Sequence, residues 1–441
     1  MSLNISVILK KQTKRFLIGL YGHYVRRFLK LNSQMKLIGI SGSVGKTSTK
    51  FAVVEILRSS GKKVLVHEGA YNDPFASMFV LLGVDYPNVQ SPVSVLKAFF
   101  KLKRASKIDI DYDYAVIEIG TDTPGEMRQF GRFGVLDLCV ISAITPEHMV
   151  NFRSFDEVVR EELEVLKYSK MIVANSDLIP KKYQKDIILS GLSIMWFGTE
   201  KSNSAVVRVG SLVDIGLKTK REIFVKIDGY DNKIRTSLLH LHSGFVIAAA
   251  LLVAKSLNLS TTASARVLES ILPAPGRGRL IAGKRGSIII DDSYNNVGAN
   301  VSIASLDLLY EFNTPRRIAV LGGINELSTD IEQETHTEVA VYLKEKKLQE
   351  VVLIGALAKK YYKPILATSQ IPFKWFSTPY KAGNYLQNKL VAGMVVLVKG
   401  SQNGIYSEEA IKPLLQDPKD SSLLVRQSKA WIEKKKKSFG P

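Results

Sequence analysis

The sequence predicts an α/β protein of two domains: a central domain with a mostly parallel sheet and a phosphate-binding loop, and a C-terminal Rossmann-like α/β domain. Three observations carry this. Short apolar runs alternate with segments of helical period in two series, a glycine-rich turn joins the first run to a helix, and a proline- and glycine-rich stretch separates the series.

The first run begins at Leu37 and breaks into Gly39-Ile40-Ser41-Gly42-Ser43-Val44-Gly45-Lys46-Thr47-Ser48-Thr49. A strand that turns on glycines into a helix aims backbone N–H groups and a helix N-terminus at one point, which suits phosphate. Lys46 is placed to reach the outer phosphates, and the Thr47 hydroxyl to ligate Mg²⁺. The general pattern asks for a glycine where Ile40 stands. Phe51, Val54, Ile56 and Leu57 then fit helical spacing until Ser59-Ser60-Gly61 stops it.

Further strand-like runs of the first series are 63–67, 114–119, 138–144 and 171–174. The second series comprises 287–290, 317–321, 350–354 and 394–398, with a helical segment at 332–346. Between the series, the alternating polar stretch 205–237 reads as β-hairpin material. The boundary is expected in Leu272-Pro273-Ala274-Pro275-Gly276-Arg277-Gly278-Arg279, which gives an N-terminal helix (1–34), a central domain (35–274) and a C-terminal domain (275–441). Two such domains would form a cleft for substrates.

Composition narrows the function. The 441 residues carry 61 Lys and Arg against 41 Asp and Glu, a net charge of +20 that favours anionic partners. The single cysteine, Cys139, excludes an intramolecular disulfide and a cysteine-rich zinc site; in its apolar run it reads as a buried small hydrophobe, in keeping with a cytoplasmic protein. No acidic residue precedes Glu55. In that basic segment Phe16, Leu20, Tyr24 and Phe28, with Leu17 and Tyr21 beside them, draw one apolar helical face, open to two readings: packing on its own domain, or lying on an anionic inner membrane face. No uncharged apolar run reaches the roughly 18 residues of a spanning helix. There is no recognised nucleic-acid module, so a basic nucleic-acid-binding ATPase is the lesser alternative and no nucleic acid is expected.

Glu118 ends the run 114–119 at the strand edge that carries the glycine-rich turn, which makes it a candidate Mg²⁺ ligand or else a salt-bridged strand end. Ile144-Thr145-Pro146-Glu147-His148 ends the next run at that edge, where His148 is either a metal or phosphate ligand or a structural histidine. Asp291-Asp292-Ser293-Tyr294-Asn295-Asn296 follows the first strand of the second series and suits recognition of a base or ribose, or a plain turn.

Together with Pro124-Gly125-Glu126, Asn175-Ser176-Asp177, Pro275-Gly276-Arg277, Leu321-Gly322-Gly323-Ile324-Asn325-Glu326 and Val398-Lys399-Gly400-Ser401, these segments resemble in order and spacing the Mur ligase family, the ATP-dependent amide-forming ligases of peptidoglycan precursor synthesis. The resemblance implies that Gly42, Ser43, Gly45, Lys46, Thr47 and Ser48 hold ATP, that Thr47 and Glu118 hold one Mg²⁺, and that His148 helps hold a second. It further implies nucleotide contacts from Arg277, Asp292, Asn295 and Asn296, and places Lys399 and Ser401 at the incoming amine. The implied substrates are a muramyl-peptide carboxylate and a D-alanyl-D-alanine-like amine; a polyglutamate-type or lipid-linked acid is the alternative.

Three departures accompany it. Glu162 stands where many members carry a carbamylated lysine, and is either a ready-made metal ligand, joining Lys46, Glu118 and His148 as catalytic residues, or a solvated charge in the run Glu161, Glu162, Glu164. The family's His-Asn adenine motif is reduced to His242-Ser243. Only the short basic segment to Lys36 precedes the loop strand, where members acting on UDP-linked muramyl peptides carry a uridine-nucleotide domain; the expectation is an acceptor held differently, or one that is lipid-linked.

Overall fold

The computed structural model describes residues 5–67, 73–87, 91–146, 149, 151–294, 296, 298–325, 327, 329–402 and 404–439. The chain forms two compact units: Met1–Arg208 with Phe224–Lys233 and Gly244–Leu268, and Val209–Ile223 with Ile234–Ser243 and Glu269–Pro441.

The first unit is built on strands β1 (Lys36–Ser41), β2 (Val64–Val66), β3 (Tyr114–Glu118), β4 (Leu138–Ile141), β5 (Met171–Asn175) and β6 (Ser193–Gly198). Strands β7 (Ala205–Val213), β8 (Lys220–Ile227) and β9 (Tyr230–Thr236) continue the same sheet, whose order is β2-β3-β1-β4-β5-β6-β7-β8-β9. β1 lies between β3 and β4, parallel to both. Its residues Leu37, Ile38 and Ile40 are buried, as the unbroken apolar run of a two-sided parallel strand requires. Asp228 and Gly229, both at positive φ, turn β8 into β9, within the stretch 205–237 expected to form β-hairpin.

Helices α1 (Ile5–Leu31), α2 (Lys46–Ser59), α3 (Pro74–Leu81) and α4 (Pro92–Ala105) belong to this unit. α3 and α4 start at side-chain caps, Asp73 accepting from Ala76 N and Ser91 from Ser94 N, each with proline in the first turn. α1 packs on its own unit through Leu17, Ile18, Tyr21, Tyr24, Val25 and Phe28. The buried face is therefore rotated from the expected one: Phe16 and Leu20 are exposed. Tyr21 and Tyr24 set that rotation, each with its ring centroid 5.6 Å from that of Phe99 on α4. Among the described residues no helix is long and apolar enough to cross a membrane.

The second unit holds a six-stranded sheet of β10 (Arg279–Gly283), β11 (Ser287–Asp292), β12 (Arg317–Gly322), β13 (Glu350–Ile354), β14 (Phe373–Phe376) and β15 (Val395–Lys399), in the order β10-β11-β15-β12-β13-β14. Only the β10–β11 pair is antiparallel. Two apolar cores cover its faces, one around Leu306, Leu309, Val339 and Leu343, the other around Leu386, Leu390, Ile411 and Leu414.

The packing of α1 has a measurable cost of removal. Phe28→Ala should lower unfolding free energy by about 3 kcal/mol in urea titration, as a buried aromatic truncation does; an unchanged midpoint would mean that α1 does not contribute to the core.

Candidate active site

In the first unit the parallel strands deliver their C-terminal ends to one edge. β1 ends at Ser41, the loop runs through Gly42–Gly45, and α2 begins at Lys46. Gly42 has φ 113°, and a Cβ there would stand 2.5 Å from the Ala143 carbonyl oxygen; Gly45 has φ 86°. Neither position tolerates a side chain without strain. The missing glycine is explained by the same geometry: Ile40 is a buried strand residue that precedes the turn. The loop is stitched to the segment after β4, since Ser43 N donates to Ala143 O at 2.9 Å and Thr145 N donates to Ser43 Oγ at 2.8 Å. Lys46 Nζ donates to the Gly42 carbonyl. Ser48 lies in the first turn of α2, next to Thr47.

Glu118 ends β3 directly beside this helix start. Thr47 Oγ1 donates to Glu118 Oε2 at 3.2 Å, and Lys50 Nζ lies 2.9 Å from Glu118 Oε1. Lys50 also donates to His67 O at 2.9 Å. Glu118, Thr47 and Lys50 are all buried. The sequence reading did not foresee Lys50; its only signal was the position one helical turn after Lys46, on the face turned toward β3. A buried carboxylate without such a cation would be costly, and Lys50 pairs with Glu118 and orients it beside the Thr47 hydroxyl.

Glu162 closes the helix Phe155–Glu162 and is buried, with its Oε2 accepting from Ser41 Oγ at 2.8 Å. The solvated-charge alternative is thereby corrected. Glu161 is also buried and accepts from Gly125 N at 2.8 Å and Met127 N at 2.7 Å, while Glu164 pairs with Lys167. The amphipathic helix turns these two carboxylates inward because the backbone donors and the Ser41 hydroxyl satisfy them. Cys139 is a buried hydrophobe whose thiol is pushed far up by burial and by the charge of Glu162. Glu126 accepts from Asp122 N and Thr123 N, shaping the turn after β3. Asn175 likewise makes a local turn, accepting from Asp177 N and Leu178 N. His148 and Asn295 lie outside the described residues.

The oxygens of Thr47 and Glu118 suit a hard divalent cation. Among the described residues no three His, Cys, Asp or Glu side chains cluster as a metal site.

In the second unit, Asp292 and Lys399 are register partners on β11 and β15, and their side chains meet at 2.8 Å. Both are buried. Ser305 Oγ donates to the same Asp292 oxygen, and His240 Nε2 lies 3.5 Å from it. Burial opposes ionisation of Asp292, but Lys399 and His240 outweigh it and hold the carboxyl well below the usual range. Lys399, expected at the incoming amine, thus has Asp292 as an ion-pair partner within the unit. His242 stacks on His240, ring centroids 5.0 Å apart. Gly278, at φ 77°, passes so close to His240 that a Cβ would stand 2.7 Å from Nε2. Arg277 lies over the Tyr294 ring at 5.4 Å.

A second cluster joins Asn296, Ser401 and Asn325. Ser401 Oγ donates to Asn296 O at 3.2 Å and accepts from Asn325 N at 3.2 Å; the Asn296 side chain bonds Ser302. His336, also unforeseen, accepts from Ile324 N at 2.9 Å through Nε2 and fixes the start of this loop.

Residues 40–254 match the Mur ligase middle domain. The UDP-N-acetylmuramoyl-tripeptide--D-alanyl-D-alanine ligase of Rickettsia prowazekii is 25% identical over 374 residues, 84% of this chain and 76% of that protein. Among solved structures, MurF from Acinetobacter baumannii aligns with a TM-score of 0.68 at 22% identity, covering 88% of this chain and 77% of that one. MurF ligase from Thermotoga maritima, in complex with ADP, aligns at 0.67 and 18%, covering 90% and 84%. Through this middle domain the chain is similar to the Mur ligases. The relatives that share this similarity are named as ligases, and one of them is in complex with ADP.

One buried carboxyl should be visible in the pH dependence of stability. Burial raises Asp291 from 3.8 to about 6, against hydrogen bonds from Ser293 and Gly276. The folded state therefore binds this proton more tightly than the unfolded chain, so its contribution is full below pH 3.8 and is lost as pH rises through about 6. Asp291→Asn should flatten that part of the profile in urea unfolding; an unchanged slope would assign the proton elsewhere.

Proposed function

We propose that the chain joins a D-alanyl-D-alanine-like amine to the carboxylate of a muramyl tripeptide, with ATP and Mg²⁺, in peptidoglycan precursor synthesis. The observation that carries the reading is the buried Thr47–Glu118–Lys50 constellation beside a glycine loop in which Gly42 leaves no room for a Cβ and both Gly42 and Gly45 take positive φ. The names of the relatives supply the substrates.

The substrate carboxylate oxygen attacks the γ-phosphorus of ATP, the bond to the β-phosphate oxygen breaks, and ADP leaves an acyl phosphate. The neutral amine then attacks the acyl carbon; its proton is lost, and inorganic phosphate departs with the former carboxylate oxygen. Negative charge gathers on phosphoryl oxygens, so the loop N–H groups and Lys46 act by electrostatic stabilisation. Mg²⁺ supplies charge neutralisation at the outer phosphates; Thr47 Oγ1 and the Glu118 carboxylate would hold it, with His148 and Glu162 assigned to a second ion. Lys50 keeps Glu118 in place. Asp292, Asn295, Asn296 and Arg277 are assigned to the nucleotide, and Lys399 and Ser401 to the amine. The reaction is placed in the cytoplasm, with peripheral contact at the anionic inner membrane face.

An acceptor screen tests this: ADP release should require a muramyl tripeptide together with D-alanyl-D-alanine, and mass spectrometry should find their amide. Lys46→Ala should lower turnover about a hundredfold or more at unchanged thermal stability. ADP release with neither substrate, or full turnover in Lys46→Ala, would overturn the assignment.

A further inference from the structure

The outward faces of α1 and α4 carry a feature that catalysis leaves unused. On α4, Val93, Leu96 and Phe100 are 61%, 56% and 59% exposed and, at spacings of three and four, form one stripe. It lies opposite Ala98 and Leu102, which are buried in the core. On α1, Phe16 and Leu20 are 70% and 44% exposed.

The two helices run side by side in one direction. Tyr21 and Tyr24 contact Phe99, and at the C-terminal ends Asn32 Nδ2 donates to Ile108 O at 3.1 Å while Ile110 N donates to Asn32 Oδ1 at 2.7 Å. This pairing sets Phe16 and Leu20 level with Val93 and Leu96. The exposed apolar side chains of the two clamped helices thus fall at the same level along the pair.

Its charge is of one sign. Neither helix contains an acidic residue. Exposed Lys97, Lys101, Lys103 and Arg104 flank the stripe on α4, and exposed Arg26, Arg27 and Lys30 continue the outward face of α1. Asp85, paired with Lys101 at 3.3 Å, is a carboxylate beside this surface.

We propose that this face docks the protein on an anionic lipid surface, with Phe16, Leu20, Val93, Leu96 and Phe100 entering the interfacial region and the flanking basic side chains meeting lipid phosphates. A helix face with an apolar stripe bordered by Lys and Arg is what such an interface takes up. Nucleic acid would use the charge but not the apolar stripe. A second copy of the chain would set two positive faces against each other, which electrostatic complementarity disfavours. The inference rests on the peripheral placement proposed above and gives it a location, but its test needs no ligase substrate.

The test is sedimentation of the full chain with vesicles of phosphatidylcholine alone or mixed with phosphatidylglycerol, at low and high salt. Binding should require phosphatidylglycerol and weaken as salt rises. Leu96→Ser/Phe100→Ser and Lys97→Glu/Arg104→Glu should each lower the apparent affinity about tenfold or more, at unchanged thermal stability and ADP release. Equal binding to both vesicle types, or wild-type binding by the two variants, would overturn the proposal. So would dimerisation in light scattering that Leu96→Ser/Phe100→Ser abolishes, because the face would then belong to a second copy. A failed acceptor screen with intact vesicle binding would count against the substrate assignment alone.

Discussion

The buried contact between Lys50 and Glu118 is the constraint around which the first unit's site is arranged. β1 must pair parallel with β3 for Glu118 to reach the loop edge, and α2 must start at Lys46 for Lys50 to fall one turn inward. Removing either charge leaves the other buried and uncompensated, a loss on the order of 3–5 kcal/mol. The same contact puts the Thr47 hydroxyl and a carboxylate oxygen side by side without inviting a larger cluster of acids. That arrangement is economical for phosphoryl transfer, in which the protein positions and stabilises charge and the substrates supply the bonds.

The second unit repeats the motif in another form. Asp292 and Lys399 sit on neighbouring parallel strands at the same register, again at the C-terminal edge, and again a buried ion pair fixes the orientation of polar groups there. Ser305 and His240 converge on the same Asp292 oxygen as Lys399. Each parallel sheet thus sets a carboxylate at a strand's C-terminal end against a buried cation, which comes from helix α2 in the first unit and from the register-paired strand β15 in the second.

Strands that are apolar on both faces were legible from composition alone, and 114–119, 138–144, 317–321 and 350–354 coincide closely with β3, β4, β12 and β13. Strands β6, β10 and β14 were missed because they are only half-buried and carry polar or charged residues such as Arg279 and Lys374. The glycine loop, Thr47 and Glu118 were legible because their spacing is local or tied to a strand end. Lys50 and His336 were not, because their partners are tertiary: a lysine or histidine within a helix reads as a surface charge until the facing strand or loop is known. The face of α1 was misjudged for a related reason. Leu17, Tyr21, Tyr24 and Phe28 of the expected face are buried, while packing on the neighbouring helices, including the Tyr21 and Tyr24 contacts with Phe99, leaves Phe16 and Leu20 outside.

Acyl-phosphate formation at the glycine loop is the step on which the proposed ligation depends. Turnover with an acceptor carrying ¹⁸O in its reacting carboxylate, followed by mass analysis of the released inorganic phosphate, tests it directly. One ¹⁸O should be transferred to phosphate for each amide formed. Amide formation with unlabelled phosphate would contradict it.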